Sequence, residues 1–207
     1  HIGHYNKFDK IEMEILRNNE VIGYNNYFFE RDGETTTVKN QYKFEVKLLS
    51  ATIFKVEGYG EEIYLNDHLI SFQSKTLQNK KEKFVSLKLD KNKKKFNIKG
   101  SSYSGEASLK NIIGNWWSHK ILQAESQISP ISGSIKEQLV TFIGKENVAI
   151  NGKEFETDHF KLTSKDMSLP EDKRLNFDIW LDKKTSVIVK VTYERMGNWE
   201  YRLKNIE

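Results

Sequence analysis

The stretch Val148-Ala149-Ile150-Asn151-Gly152-Lys153-Glu154-Phe155-Glu156-Thr157 decides the fold class. Asn-Gly is the pair that most readily takes the positive φ needed at both centres of a two-residue hairpin, and apolar and polar residues alternate on either side. Alternation with period two puts successive side chains on opposite faces of a strand, so this stretch reads as an antiparallel hairpin. Outward from it the same period recurs over most of the chain. Leu175, Phe177, Ile179 and Leu181 share one face against Asn176, Asp178, Trp180 and Asp182, and Val187, Val189, Val191 and Tyr193 follow. Towards the amino terminus, Tyr42, Phe44, Val46 and Leu48 alternate with Lys43, Glu45 and Lys47.

Turn chemistry punctuates these runs at Asn18-Asn19, Asp32-Gly33, Asn66-Asp67, Lys91-Asn92 and Gly197-Asn198. Gly58-Tyr59-Gly60 interrupts the fourth strand and predicts a bulge or sharp bend there. Strands are also expected over 135–143 and 148–150, with 100–110 a loop or weak strand. About eleven strands joined by short turns describe an all-β meander, and an open sheet of that size curls, splits or closes. The expectation is one highly curved antiparallel sheet, an open or half-closed barrel, over residues 10–207 as a single domain. Residues 1–9 are expected to be a flexible amino-terminal segment. The exception to alternation is Asn111-Ile-Ile-Gly-Asn-Trp-Trp-Ser-His-Lys-Ile-Leu-Gln123, predicted as a short helical or looped insert near residues 110–122.

Composition closes off several functions. The 207 residues include no cysteine, which excludes disulfide scaffolds, thiolate zinc sites and iron–sulfur clusters, and no run approaches the roughly 18 apolar residues that span a bilayer. The net charge of +4 comes from 33 basic and 29 acidic residues, a balanced surface that argues against nucleic acid as a partner. No phosphate-binding loop, dinucleotide fingerprint or His-Glu-x-x-His segment is present, so no cofactor is expected and no catalytic residue is assigned.

Three stretches are candidates for chemistry. Trp116 and Trp117, adjacent on the insert, point to opposite sides of an extended chain; they either form a lid over a hydrophobic ligand or plug the barrel as core. His119 beside them has the right ordinary pKa for a general base but no partner at a readable spacing. With Phe44, Phe177 and Trp180, these three make up the expected ligand-binding set. At the amino terminus, His1 and His4 could chelate copper if His1 begins the mature protein, with His68, His119 or His159 supplying a further ligand; a frayed terminus is the alternative, and no metal site is assigned. The lysine-rich tract holding Lys80, Lys81, Lys93, Lys94 and Lys95 is either a solvated edge hairpin or a peripheral contact with anionic membrane.

Several motifs, in order, resemble an uncharacterised family of secreted bacterial proteins known only as a domain of unknown function. They are Val21-Ile22-Gly23, the Asp32-Gly33 turn and its strand to Leu48, the 61–69 stretch, Gly114-Asn115-Trp116-Trp117-Ser118-His119-Lys120-Ile121-Leu122, Val148-Ala-Ile-Asn-Gly152, Asp178-Ile179-Trp180-Leu181-Asp182 and Glu200-Tyr201-Arg202-Leu203. Ser118-His119 stands where the family usually has proline. The resemblance implies a periplasmic or secreted protein, its signal peptide removed, with a curved sheet similar to the open barrels of lipoprotein carriers of the LolA/LolB type. It implies no activity. The function expected from these observations is a non-enzymatic module holding a lipid or other hydrophobic ligand in the concave sheet. A self-filled structural or partner-binding protein is the alternative, and an enzyme of unreadable class or an amino-terminal-histidine copper protein comes third.

Overall fold

A computed structural model describes residues 2–207. Among the described residues fifteen strands run as β1 (Lys10–Arg17), β2 (Glu20–Asp32), β3 (Thr35–Leu48), β4 (Ala51–Leu65), β5 (His68–Gln78), β6 (Lys81–Asp90), β7 (Lys95–Gly100), β8 (Ser104–Ser108), β9 (Ile112–Ile113), β10 (Ser126–Ile128), β11 (Ile135–Ile150), β12 (Lys153–Ser164), β13 (Asn176–Asp182), β14 (Ile188–Glu194) and β15 (Asn198–Ile206). They form one sheet in the order β8-β7-β6-β5-β4-β3-β2-β1-β15-β14-β13-β12-β11-β10-β9. The first and last long strands meet in the middle through the β1–β15 pairing, so two meanders become one antiparallel sheet; only β9 and β10 run parallel. The sheet curls on itself and stays open between β8 and β9.

The count is fifteen strands and not about eleven, because short additions outweigh one merger. β8, β9 and β10 are two to five residues long and lie where no alternation could be read. The 135–150 region, expected as two strands, is one strand of 16 residues whose register shifts between Phe142 and Gly144. The hairpins at Asn18-Asn19 and Asn151-Gly152 form as expected, with positive φ at both centres. No bulge forms at Gly58 or Gly60: both keep register with β3, opposite Tyr42 and Asn40. Their missing side chains leave room instead for neighbouring rings, since a Cβ on Gly58 would stand 2.5 Å from the Tyr42 hydroxyl and one on Gly60 3.3 Å from Phe72.

The amino-terminal segment, expected to be flexible, packs from its second residue. Ile2–Tyr5 makes a 3₁₀ turn, and Tyr5 and Phe8 join the main core cluster with Phe29, Trp117, Ile121 and Val187. Two aromatic rings in seven residues bury too much apolar surface to stay in water. His1 lies outside the described residues. A second cluster under β5–β8 closes on Ile113 and Ile128 of the short parallel pair, and a third joins Ile15, Val46 and Trp199.

Candidate functional site

The site is built where residues 109–134 leave β8 and cross the concave face. Their anchor is Glu62, on an inward position of β4 opposite Val38 and Phe72. Asn115 Nδ2 and Trp117 Nε1 donate to its Oε2 at 2.9 and 2.8 Å, and the Tyr64 hydroxyl donates to Oε1 at 2.7 Å. Glu62 is only 2% exposed, and burial pushes its carboxyl above the ordinary carboxylate value against the three donors that oppose the shift. The Trp116 amide donates to the Tyr27 hydroxyl at 3.1 Å, which fixes the neighbouring residue as well.

Past the tryptophans, Ser118 caps a 3₁₀ turn at His119–Leu122 by accepting from the Lys120 amide. The Tyr5 hydroxyl lies 2.9 Å from each of the Ser186 carbonyl oxygen, the His119 amide and His119 Nδ1. Its single proton goes to the carbonyl, which leaves its two lone pairs to accept from the amide and from an Nδ1–H. Burial, then the nearby His4 charge, lowers the His119 pKa and favours that neutral ring, while burial pushes the Tyr5 hydroxyl up to about 12. The pair reads as a strut holding the amino-terminal segment to the insert.

Beside this filled half, the concavity stays open. A cavity of about 310 Å³ is walled by Phe44, Phe54, Val56, Trp116, Trp199 and Tyr201, with Asn25, Asn40 and Tyr42 at its polar side. Asn40 donates to Asn25, and the Tyr42 hydroxyl bonds the Thr76 hydroxyl, so these groups enter the cavity already partnered. A second cavity of about 400 Å³ shares Trp116, Tyr193, Arg195 and Tyr201 with the first and extends to Phe177, Leu175 and Met167. The wall between them is a chain of edge-on and stacked rings: Trp116–Phe177 at 5.0 Å, Phe177–Tyr193 at 5.3 Å, Tyr193–Trp199 at 5.8 Å and Trp199–Phe44 at 5.2 Å between centroids. Burial raises the hydroxyl pKa of Tyr193 and of Tyr201, which hydrogen-bond each other, so both stay neutral donors. Arg195 reaches both cavities and makes no ion pair among the described residues.

Of the six residues expected at the site, the structure brings Phe44, Trp116 and Phe177 to the cavity walls. Trp117 and His119 sit beneath, in the core formed with Tyr5 and Phe29. Trp180 lies on the other face of β13, because its odd spacing from Phe177 reverses its direction. There it stacks on His159 at 4.3 Å and donates to Glu146. His159 is held by Asp178 at 2.8 Å on the same outer face and lines neither cavity. Tyr42, Tyr193, Arg195, Trp199 and Tyr201 were not singled out. The readable signal was the two-residue spacing of Trp199 and Tyr201, which continues the alternation of Val189, Val191 and Tyr193 on the adjacent strand. His4 comes within 4.9 Å of His119 between ring centroids, yet no group of three or more His, Cys, Asp and Glu among the described residues could hold a metal ion.

A family model described as a domain of unknown function, DUF6134, matches residues 13–204. No curated protein matches the chain. Among solved structures, the chain is similar to a β-barrel-like protein of the domain of unknown function DUF1849 from Brucella abortus, at 11% identity and a TM-score of 0.64, covering 96% of both chains. That likeness shows the fold and nothing of activity. A DUF1329 family protein from Desulfovibrio piger ATCC 29098 also aligns, over 100% of this chain and 88% of its own at 11% identity, but with a TM-score of 0.20 it carries no argument.

Proposed function

The chain belongs to the DUF6134 family, a domain of unknown function with a barrel-like open sheet, and from that premise we propose that it is a non-enzymatic envelope protein that holds a hydrophobic or amphipathic ligand in its concave face. The observation that carries this reading is the cavity of about 310 Å³ walled by aromatic and aliphatic side chains beside a fully packed half. That volume lies at the lower end of small-molecule sites, about 300–1,000 Å³, and an apolar wall with a few fixed polar groups is their usual composition. Phe44 and Trp116 form apolar walls of this cavity, Phe177 lines the second one, and Tyr42, Asn25 and Asn40 orient a polar group of the ligand. The periplasmic or secreted setting follows from the resemblance to a secreted family and is checked by fractionating the native cell.

The packed half favours the second reading, a self-filled structural protein, for that half alone. Both readings are separated by one substitution. Val56, buried on β4 between Phe44 and Gln78, faces the cavity, and Val56→Trp would put an indole into its space. Phenylnaphthylamine, a neutral fluorescent probe, should bind the wild-type chain and lose at least about tenfold in affinity in the variant, with an unchanged far-ultraviolet spectrum. Native mass spectrometry of protein taken from its own envelope should show an adduct that the variant lacks. If the wild type neither takes up the probe nor carries an adduct, the cavity is not a binding site.

A further inference from the structure

Strand direction sorts the turns to two ends of the sheet. Turns 33–34, 66–67, 91–94, 151–152 and 183–187 lie at one end, with the amino-terminal segment; turns 18–19, 49–50, 79–80, 101–103, 165–175 and 195–197 lie at the other. The two cavities open towards this second end, where Phe54, Gln78, Ile131 and Arg195 line the first of them.

Two turns at the second end put a large apolar side chain where other turns of the chain put asparagine, serine, lysine or glycine. In the two-residue turns 18–19, 66–67, 79–80 and 151–152, an asparagine takes the positive φ. Asparagine tolerates the left-handed region because its short polar side chain bonds locally, whereas an apolar side chain has no such bond to offset the steric cost of its Cβ. Turn 49–50 instead has Leu49 at φ 50°, and turn 195–197 has Met196 at φ 49°. These two side chains are also the most exposed large apolar groups described, Leu49 at 95% and Met196 at 88%. Leu48, Ile53 and Val21, beside the same turns, are exposed as well. Apolar side chains are thus held in water on conformations that disfavour them, the pattern of a site where function overrides local stability.

Cations surround these tips. Lys47 adjoins Leu48, Lys80 and Lys81 form the neighbouring turn, which is tied to Lys55 through the backbone, and Arg195 precedes Met196. Lys47, Lys80, Lys81 and Arg195 make no ion pair among the described residues, while Lys55 has Glu45 at 3.9 Å. Glu20, Glu82 and Glu194 stand among these cations, and Asp166, Glu171 and Asp172 lie in turn 165–175, beyond Arg195 in the sheet. The lysine tract read from the sequence is divided: Lys93, Lys94 and Lys95 stand at the opposite end, where Glu106 lies 3.3 Å from Lys93 and 3.9 Å from Lys95.

We propose that the end carrying Leu49 and Met196 docks on an anionic phospholipid membrane, the two side chains entering the apolar layer and Lys47, Lys80, Lys81 and Arg195 meeting the head groups. Apolar tips ringed by cations match an interface whose interior is hydrocarbon and whose surface is negative. The cavities open at the docked end, facing the bilayer. The docking needs no ligand, so it stands or falls apart from the binding reading.

The test is sedimentation of the full chain with vesicles of phosphatidylglycerol and phosphatidylethanolamine, and with vesicles of phosphatidylcholine alone. Wild type should be retained on the anionic vesicles at low salt and only weakly on the neutral ones. The double variant Leu49→Asn, Met196→Asn should lose at least about tenfold in vesicle affinity. Its thermal midpoint should be unchanged or higher, since asparagine suits the positive φ, and its phenylnaphthylamine binding should be unchanged. Lys93→Gln, Lys94→Gln, Lys95→Gln, at the far end, should bind vesicles as wild type does. No retention of wild type, equal retention on neutral vesicles, an unaffected double variant, or an equal loss in the far-end variant would each overturn the proposal.

Discussion

Trp117→Ala is expected to lower the free energy of unfolding by about 4 kcal/mol, read from urea or thermal unfolding. Trp117 is buried, with Tyr5 at 5.3 Å, Phe29 at 5.5 Å and Tyr64 at 5.9 Å set edge-on around its indole. Alanine would remove the largest side chain of that cluster and leave a void that the rigid sheet beneath cannot close. It would also take one of three donors from a carboxylate that has no access to water. Trp117→Phe separates the two contributions, because a benzyl ring keeps most of the packing and loses the N–H; about 1–2 kcal/mol is expected. The same loss should loosen the amino-terminal segment, since Tyr5 packs on this indole, so amide exchange at Tyr5 and His119 should speed up in both variants. A change below about 1 kcal/mol for the alanine variant would show that residues 109–134 rest on the sheet without belonging to its core.

Much of this architecture could be read before any coordinates, and the reasons are local. Asn151-Gly152 and Asn18-Asn19 carry their own turn conformation, and Tyr42 to Leu48 carry their own alternation, so hairpins between neighbours in sequence are written where they form. The parallel β9–β10 pair is two residues long and joins segments whose polarity does not alternate, so nothing local marks it. Gly58 and Gly60 read as a bend because a missing side chain weakens a strand; whether it makes a bulge or makes room depends on Tyr42 and Phe72, which arrive from other strands. The site divides in the same way. Phe44 and Phe177 follow from the inward phase of their strands, whereas placing Trp180 with Phe177 ignored that phase. His119 was singled out for its chemistry, and its burial against Tyr5, 114 residues away in sequence, turned it into a structural contact. Glu62 was the least legible residue of all. It belongs to the adjacent pair Glu61-Glu62, and adjacency in sequence says nothing of what either carboxyl meets in space; its role is set by Asn115 and Trp117, which lie 53 and 55 residues further on.

Glu62→Ala is accordingly expected to cost about 3 kcal/mol or more, although it removes a group whose burial is itself unfavourable. The asymmetry arises because alanine would leave the Asn115 amide, the Trp117 indole N–H and the Tyr64 hydroxyl without their acceptor in a site closed to water. Glu62→Gln should cost less, since the amide oxygen still accepts from Asn115 and Trp117 and the Tyr64 hydroxyl can turn to accept from the new NH₂. The pH dependence carries the sharper sign. Burial holds the folded-state pKa of Glu62 above its ordinary value of 4.5, so the folded protein binds the proton more tightly than the unfolded chain does. Stability then falls as pH rises from the unfolded value through the folded one, and the contribution of the group is fully present only below the unfolded value. The advantage of wild type over Glu62→Gln should therefore shrink between mildly acidic and neutral pH. An advantage that grows over that interval would mean that the three donors outweigh desolvation and that the carboxylate is charged when folded. In a double-mutant cycle, Glu62→Ala with Trp117→Phe should be non-additive by about 1 kcal/mol, because each change removes one side of the same hydrogen bond. Additivity would locate the cost of each in packing alone, and Glu62 would then not be what holds Trp117 in the core and, next to it, Trp116 at the cavity wall.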